Sequence, residues 1–326
     1  MKAVVQEAYG GPEVLRLGDR PDPAERPGWT VVELRAAALN WHDVLVRQGK
    51  YGSPLPHTPG ADGAGVDLAT GEEVVVLPSL GWGSDESAPG TQWEILGDHR
   101  PGTYAERVAV PVECVAPKPA GLSWAEAAAL PLVGLTTYRA LFSRAQLSAG
   151  ESLLVLGAGG GVATAAVTLA SAVGARVVVT SSADHKIAQA VELGAAGGVR
   201  YDGAGAETWP EEAGKLVGGG FDVVLDAVGS WREAIRALRP GGRLVVLGAN
   251  RAEQATIDVR PFYFGQYTLL GTTMGSPRDF AGLLDLMTEH RVRPPVVDRT
   301  FSLADAAAAH THLETGAGFG KVVLEA

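Results

Sequence analysis

Two runs of residues in this chain have the types and spacing needed to hold a phosphorylated ligand. In the first, Leu153-Leu154-Val155-Leu156 leads into Gly157-Ala158-Gly159-Gly160-Gly161, and then into the helix-compatible Val162-Ala163-Thr164-Ala165-Ala166-Val167. A glycine turn from strand to helix lets backbone approach a pyrophosphate, while the helix N-terminus offers unpaired N–H groups and the positive end of its dipole. In the second, Arg176-Val177-Val178-Val179 reads as the next strand and is followed by Thr180-Ser181-Ser182, with Lys186 just beyond. Folds that bind NAD place an Asp or Glu there to hold the ribose diol. Hydroxyls and an ammonium instead suit a phosphate dianion, which an acid would repel. The nearest acid, Asp184, stands at capping-box distance from Ser181.

Other chemistries find no support. The single cysteine, Cys114, leaves neither a disulfide framework nor a thiolate-rich metal site. His310 and His312 are two apart on an expected helix, so they do not face one another. Neither G-x-S-x-G nor G-x-x-x-x-G-K-[ST] occurs, which removes the common hydrolase and P-loop readings. A formal net charge of −10 argues against nucleic acid or an anionic membrane as partner. The first residues lack the apolar run of a signal peptide and no stretch is long enough to span a bilayer, so the cytoplasm is the expected location.

With 326 residues, 46% of them hydrophobic, the chain has room for two domains with real cores. Residues 1 to about 120 read as β-rich, with strands expected at 2–6, 14–17, 30–37, 59–66, 73–77 and 104–110 and a short helix from Asn40 to Arg47. Residues 81–102 form a loop excursion carrying Trp82 and Trp93. After Pro119 the pattern changes. Ser123 and Glu126 open a capped helix, Pro131 interrupts it, and a second helix is expected over 132–143. Strands at 152–156, 176–179, 198–201, 221–225 and 243–247 then alternate with helices at 162–173, 184–193, 210–217 and 231–238. That alternation predicts a parallel, doubly wound sheet, with 268–270 closing its edge. Helices at 278–290 and 303–314, opened by Ser276…Asp279 and Ser302…Asp305, and a strand at 321–324 complete the chain.

Several segments in this order carry a resemblance. They are Ala38-Leu39-Asn40-Trp41-His42-Asp43, Pro59-Gly60-Ala61-Asp62-Gly63-Ala64-Gly65, Gly134-Leu135-Thr136-Thr137-Tyr138 and the turn 157–163. Asp222-Val223-Val224-Leu225-Asp226-Ala227-Val228-Gly229, Pro240-Gly241-Gly242-Arg243 and Phe319-Gly320-Lys321-Val322-Val323-Leu324 complete the set. Along its whole length the chain resembles the medium-chain dehydrogenase/reductase superfamily, and within it the zinc-free quinone oxidoreductase and enoyl reductase branch. The resemblance implies an α/β fold in which a doubly wound parallel Rossmann sheet is inserted into a GroES-like β-rich domain. The divisions are 1–121 for the GroES-like domain, 122–265 for the Rossmann domain, and 266–326 for the edge strand and the return to the first domain. The cofactor would lie in the cleft between the two.

Zinc-bearing members hold their catalytic metal with a Cys, a Gly-His-Glu segment and a second Cys; the matching places here are Asn40, Ala61-Asp62 and Val133. Only Asp62 could ligate, short of the three protein ligands a catalytic zinc needs. The loop 81–102, which holds four cysteines in zinc-bearing relatives, has none. By the same resemblance Ser181, Ser182, Lys186 and Tyr201 would surround the 2′-phosphate of NADPH, favoured over NADH. The turn residues Gly159, Gly160, Gly161 and Val162 would face the pyrophosphate. Thr136 or Thr137, at the start of a helix over the cleft, would hold the carboxamide, and Leu247, Gly248 and Leu270 would present backbone to the nicotinamide.

Asn40 would lie near the nicotinamide, where its amide could donate to a developing oxyanion or cap the helix that follows. His42 could supply a proton, since its reference pKa is near neutrality, and Tyr51 is a second possible donor. Trp41, Trp82 and Trp93 either wall a flat acceptor or pack the loop lobe. The implied activity is zinc-independent, NADPH-dependent transfer of hydride to a quinone or an α,β-unsaturated carbonyl acceptor. The alternatives are a metal-independent alcohol or aldehyde oxidoreductase and a non-catalytic NADPH-binding structural or regulatory protein. Relatives join two Rossmann sheets at the edge strand, which implies a homodimer.

Overall fold

The computed structural model describes residues 1–24, 26–203, 206–249 and 252–326. In chain order the elements are β1 (Lys2–Gln6), β2 (Leu15–Asp19), β3 (Trp29–Ala38), α1 (Trp41–Arg47), β4 (Asp62–Asp67), β5 (Glu73–Val76), β6 (Ser79–Leu80), β7 (Glu94–Ile95), β8 (Arg107–Pro111) and β9 (Val115–Pro117). There follow α2 (Trp124–Ala128), α3 (Pro131–Tyr138), β10 (Ser152–Val155), α4 (Gly161–Ala172), β11 (Arg176–Ser181), α5 (Asp184–Leu193), β12 (Gly197–Arg200), α6 (Trp209–Lys215) and β13 (Phe221–Asp226). The last are α7 (Trp231–Arg236), β14 (Leu238–Val246), α8 (Val259–Phe264), β15 (Thr268–Gly271), α9 (Pro277–Glu289), β16 (Val297–Ser302), α10 (Ala306–Glu314) and β17 (Lys321–Glu325).

These elements form two compact units. One comprises Met1–Leu135, Gly275–Ala281 and Pro294–Ala326; the other comprises Thr136–Met274 and Gly282–Arg293. In the second unit the strands lie in the order β12-β11-β10-β13-β14-β15, every neighbouring pair parallel. Its central strands are runs of Val and Leu buried on both faces, the pattern of a sheet covered by helices on each side. The alternation of strands and helices read from the sequence is present, with ends shifted by one to three residues, or by five where β14 begins.

In the first unit β16-β17-β3-β4-β5-β9 form a mixed sheet, with β8 also paired to β3. The terminal strand β17 lies between β16 and β3, antiparallel to β3, with Val323 opposite Ala38. That pairing carries Lys321 to the end of β3, beside Asn40. Two of its strands had no sequence signal. β16 has charged and exposed positions along most of its length, and β9 is three residues long.

Two sequence expectations change here. The helix expected over 132–143 begins at Pro131 and ends at Tyr138, followed by a wider π-helical turn over Arg139–Arg144 in which Ala145 N–H reaches Ala140 O. Thr136 and Thr137 therefore sit near the end of α3 rather than at a helix start. Ser181 and Asp184 make no capping box. The N-cap of α5 is Ala183, whose N–H donates to Ser181 Oγ at 3.1 Å, and Asp184 turns to Arg200 instead. Among the described residues no helix is long and apolar enough to cross a membrane.

Candidate active site

The glycine turn of the parallel-sheet unit is built to leave room. Gly157 has φ +99°, a conformation that favours glycine, and its N–H donates to the buried Thr180 Oγ1 at 3.0 Å. Thr180 thus ties the turn after β10 to the neighbouring strand β11. Gly160 is the N-cap of α4, and a Cβ built on it would meet no atom within 4 Å. The turn's space is open just where the first N–H groups of a twelve-residue helix have no intrahelical partner. Gly159, Gly161 and Val162 complete this rim and are partly exposed, while Ala163 is buried against the sheet.

At the carboxyl end of β11 the structure sorts the expected residues. Ser181 is buried and its hydroxyl serves the local turn, Ser182 is exposed, and Lys186 is half-buried on α5. Tyr201 packs against the apolar cluster of Leu154, Val178 and Val224. At the ends of β13 and β14, Asp226 accepts N–H groups from Val228, Gly229 and Ser230 at 2.7–2.8 Å, shaping a tight loop. Burial pushes its carboxyl up, against those three donors. Leu247 N–H donates to Asp226 O, and a Cβ on Gly248 would lie 2.4 Å from Ala227 O. The two loops are therefore in backbone contact, and Leu247, Gly248 and Leu270 are partly exposed. Thr136 Oγ1 lies 3.7 Å from Met274 Sδ, and the buried Thr137 hydroxyl has no hydrogen-bond partner.

The β-rich unit holds a buried polar cluster in which Asn40 and Asp62 are joined by Lys321, a partner the sequence reading did not assign to them. Lys321, 4% exposed, directs its ammonium to Leu39 O at 2.6 Å, to Asn40 Oδ1, and to Asp62 Oδ2 at 3.1 Å. Asp62 is fully buried, and it also accepts from Asn40 Nδ2 at 2.9 Å and from Leu132 N–H at 2.7 Å. Burial pushes the Asp62 carboxyl up, opposed by the Lys321 ammonium and the Asn40 amide. The Asn40 amide is committed on both sides: its oxygen accepts from Lys321, and its nitrogen donates to Asp62 and, at 3.4 Å, to Ala38 O. Lys321 carried a legible signal. A lone cation between glycine and the apolar run Val322-Val323-Leu324 stands out, although a lysine is ordinarily exposed; once buried, its ammonium needs a partner.

Asn40 opens α1, where its backbone N–H donates to Asp43 Oδ2 at 2.8 Å and Tyr104 OH reaches the same oxygen at 3.0 Å. Burial alone would raise the Asp43 carboxyl, but His42 and the Asn40 N–H hold it below its usual range. His42 is buried, with Nδ1 3.6 Å from Asp43 Oδ1 and neither ring nitrogen in a hydrogen bond. The Tyr51 ring lies over it with centroids 4.8 Å apart, and Tyr51 is exposed. Burial and Asp98 push the Tyr51 phenol up. The structure thus brings Asn40, His42 and Tyr51 to one neighbourhood around α1.

Trp82 is buried, edge-on to Trp93 at 6.1 Å, and the two indoles donate to Asp85 O and Ser79 Oγ. These two rings pack the 81–102 lobe, while Trp41 is exposed. A zinc ion does not fit the places that zinc-bearing relatives use. Asn40 faces a lysine, Ala61 and Val133 are apolar and buried, and Asp62 already binds an ammonium. Among the described residues no group of three or more His, Cys, Asp or Glu side chains could hold a metal.

Residues 26–120 match the family model of the alcohol dehydrogenase GroES-like domain, and residues 161–289 match that of the zinc-binding dehydrogenases. The 2-methylene-furan-3-one reductase of Solanum lycopersicum is 35% identical over 333 residues, covering 99% of this chain and 79% of that protein. The chloroplastic NADPH-dependent alkenal/one oxidoreductase of Arabidopsis thaliana is 34% identical over 331 residues, with the same coverage of 99% and 79%. Among solved structures, an NAD-dependent alcohol dehydrogenase superposes with a TM-score of 0.93 at 39% identity, covering all of both chains.

Proposed function

The chain belongs to the medium-chain dehydrogenase/reductase superfamily, and from that premise we propose a zinc-independent, NADPH-dependent reductase of quinones or α,β-unsaturated carbonyl compounds. The observation that carries this reading is the buried set of Lys321, Asp62 and Asn40. The ammonium lies among the residues that stand where relatives bind zinc, and its three donor contacts are to protein oxygens. Without a Lewis acid, a saturated alcohol or aldehyde is a poor partner. A conjugated acceptor spreads the incoming charge onto its carbonyl oxygen, which hydrogen-bond donors can stabilise.

NADPH, when bound, supplies the hydride. The residues that would hold it are the rim Gly159, Gly160, Gly161 and Val162, with Ser182, Lys186 and the neighbouring Ser181 and Tyr201 at the adenosine ribose. Thr136, Thr137, Leu247, Gly248 and Leu270 would border the nicotinamide. The open space at Gly160 is the feature of this structure that fits a pyrophosphate. The chain's own acid–base chemistry falls to His42, whose Nδ1 lies 3.6 Å from Asp43 and whose Nε2 makes no hydrogen bond, and to the exposed Tyr51 beside it. Asn40 holds the start of α1 and transmits the Lys321–Asp62 contact to that segment. Names among the relatives support both parts of the reading: two are enone or alkenal reductases, and one of these is NADPH-dependent.

The test is consumption of NADPH with a panel of quinones and enones, alongside metal analysis of the purified protein. Turnover with at least one class, undiminished by zinc chelators, is the expected result. Tight NADPH binding without turnover would overturn the enzymatic reading, and stoichiometric zinc with chelator-sensitive alcohol oxidation would overturn the metal-free one.

A further inference from the structure

Arg200 is the last residue of β12 and the register partner of Ser181, the last residue of β11. The strands are parallel, so both lie at the carboxyl end of the sheet, where dinucleotide-binding folds read the adenosine ribose. Three contacts fix the guanidinium. Nε and Nη2 grip Asp202 at 2.8 and 3.1 Å, and Nη1 reaches Asp184 Oδ2 at 3.1 Å. The two acids are not equivalent. Asp202 clamps one edge of the fork with paired bonds, whereas Asp184 makes a single bond from the first residue of α5 and is 81% exposed. The Asp184 contact is of the weak, readily exchanged kind, while the paired contact fixes the plane of the fork.

Resting on the NADPH reading above, we propose that Arg200 determines dinucleotide choice: held in plane by Asp202, it releases Asp184 and takes the 2′-phosphate of NADPH in its place. Asp184 is the one acid in the segment after β11 where an NAD-binding fold keeps its ribose-binding carboxylate. In the free protein Arg200 neutralises it; once released, it is a competitor of the phosphate for the guanidinium, held back by its exposure to water. The Ser181 oxygen accepts the Ala183 N–H, which leaves its own O–H to donate beside the guanidinium. Ser182 is exposed alongside, and Lys186 is the half-buried third residue of α5. A guanidinium presents a planar fork matched to phosphate oxygens, which a lysine in the same place would not.

The probe is adenosine 2′,5′-bisphosphate, titrated calorimetrically against 5′-AMP on the full chain, with Kd for NADPH and NADH measured in parallel. Wild type should bind the bisphosphate and NADPH more tightly than 5′-AMP and NADH. Arg200→Gln should weaken the bisphosphate and NADPH at least tenfold while leaving 5′-AMP and NADH within twofold, and Arg200→Lys should recover only part of the loss. Asp184→Asn should bind NADPH at least as tightly as wild type. If wild type favours NADH, the NADPH reading fails and this assignment with it. If wild type favours NADPH but Arg200→Gln affects both cofactors equally or neither, only the assignment to Arg200 is overturned. An unchanged melting temperature of Arg200→Gln ties any loss to the ligand rather than to the fold.

Discussion

Lys321 in the terminal strand β17 and Asp62 at the start of β4 form an ion pair at 3.1 Å with both side chains out of water. The two residues are 259 positions apart and meet because β17 and β4 flank β3 in one sheet. Removing one partner of such a pair strands the other charge, which costs about 3–5 kcal/mol. Lys321→Met should therefore lower stability by about that amount in urea unfolding. Lys321→Met combined with Asp62→Leu should recover much of the loss, because no charge is then left buried. A loss below about 1 kcal/mol for the single variant, the range of exposed pairs, would mean that the pair is solvated in solution.

The open space at Gly160 separates cofactor binding from folding. A methyl group there meets no protein atom within 4 Å, and the backbone has φ −77°, which alanine adopts without strain. Gly160→Ala should leave the melting temperature of the free protein within about 2 °C, since surface changes away from special features are nearly neutral. The same methyl would occupy the pyrophosphate's approach, and the KM for NADPH should rise roughly tenfold or more, equivalent to about 1.4 kcal/mol. An unchanged KM would move the pyrophosphate away from this turn.

The parallel sheet was legible because its code is local. Val and Leu runs such as Leu153–Val155 and Val223–Leu225 alternate with helices of matching length, and glycines mark the turn. Asn40 and His42 were singled out through resemblance to a known pattern, and the structure sets the Tyr51 ring 4.8 Å from that of His42. What escaped were pairings over long sequence distance. Nothing adjacent to Lys321 announces Asp62, and nothing near Asp184 announces Arg200, sixteen residues on. The capping box expected of Ser181 and Asp184 is absent because α5 starts at Asp184, two residues after the position that would make Ser181 its N-cap, and Asp184 turns to Arg200 of the neighbouring strand. β16 was missed because an edge strand with Asp298, Arg299 and Thr300 in its middle has no apolar alternation to read.

His310 offers a pH test. It is fully buried on α10, edge-on to Tyr104 with centroids 5.8 Å apart, and neither ring nitrogen has a partner. Burial holds its pKa down at about 4, against 6.5 in an unfolded chain, with Asp43 raising it and Arg47 lowering it further. The folded state therefore refuses a proton that the unfolded state accepts between pH 6.5 and 4. Stability must fall as pH drops through that window and stop responding to this group below it. By pH 5 the contribution is about 2 kcal/mol. His310→Phe keeps the ring contact and removes the titration, so the difference in unfolding free energy between pH 7 and pH 5, from urea titrations, should shrink by about that much. An identical gap in the variant would show that His310 ionises normally.

The edge of the parallel sheet bears on assembly. β15 closes the sheet, paired to β14 with Leu269 opposite Leu244, and has no second strand beside it among the described residues. Close in sequence, α8 leaves Val259, Tyr263 and Phe264 largely exposed, at 72%, 51% and 69%. An uncovered strand edge accompanied by exposed large apolar side chains is a liability that pairing with a second copy removes. We expect a homodimer joined along β15, with light scattering giving twice the mass of the chain. Phe264→Glu together with Val259→Lys replaces two of those exposed apolar side chains with charge and, if they take part in the contact, should shift the protein toward monomer without changing its circular dichroism. A wild-type protein that is strictly monomeric at micromolar concentration would rule the dimer out. A dimer unaffected by the paired substitution would place the contact on another face.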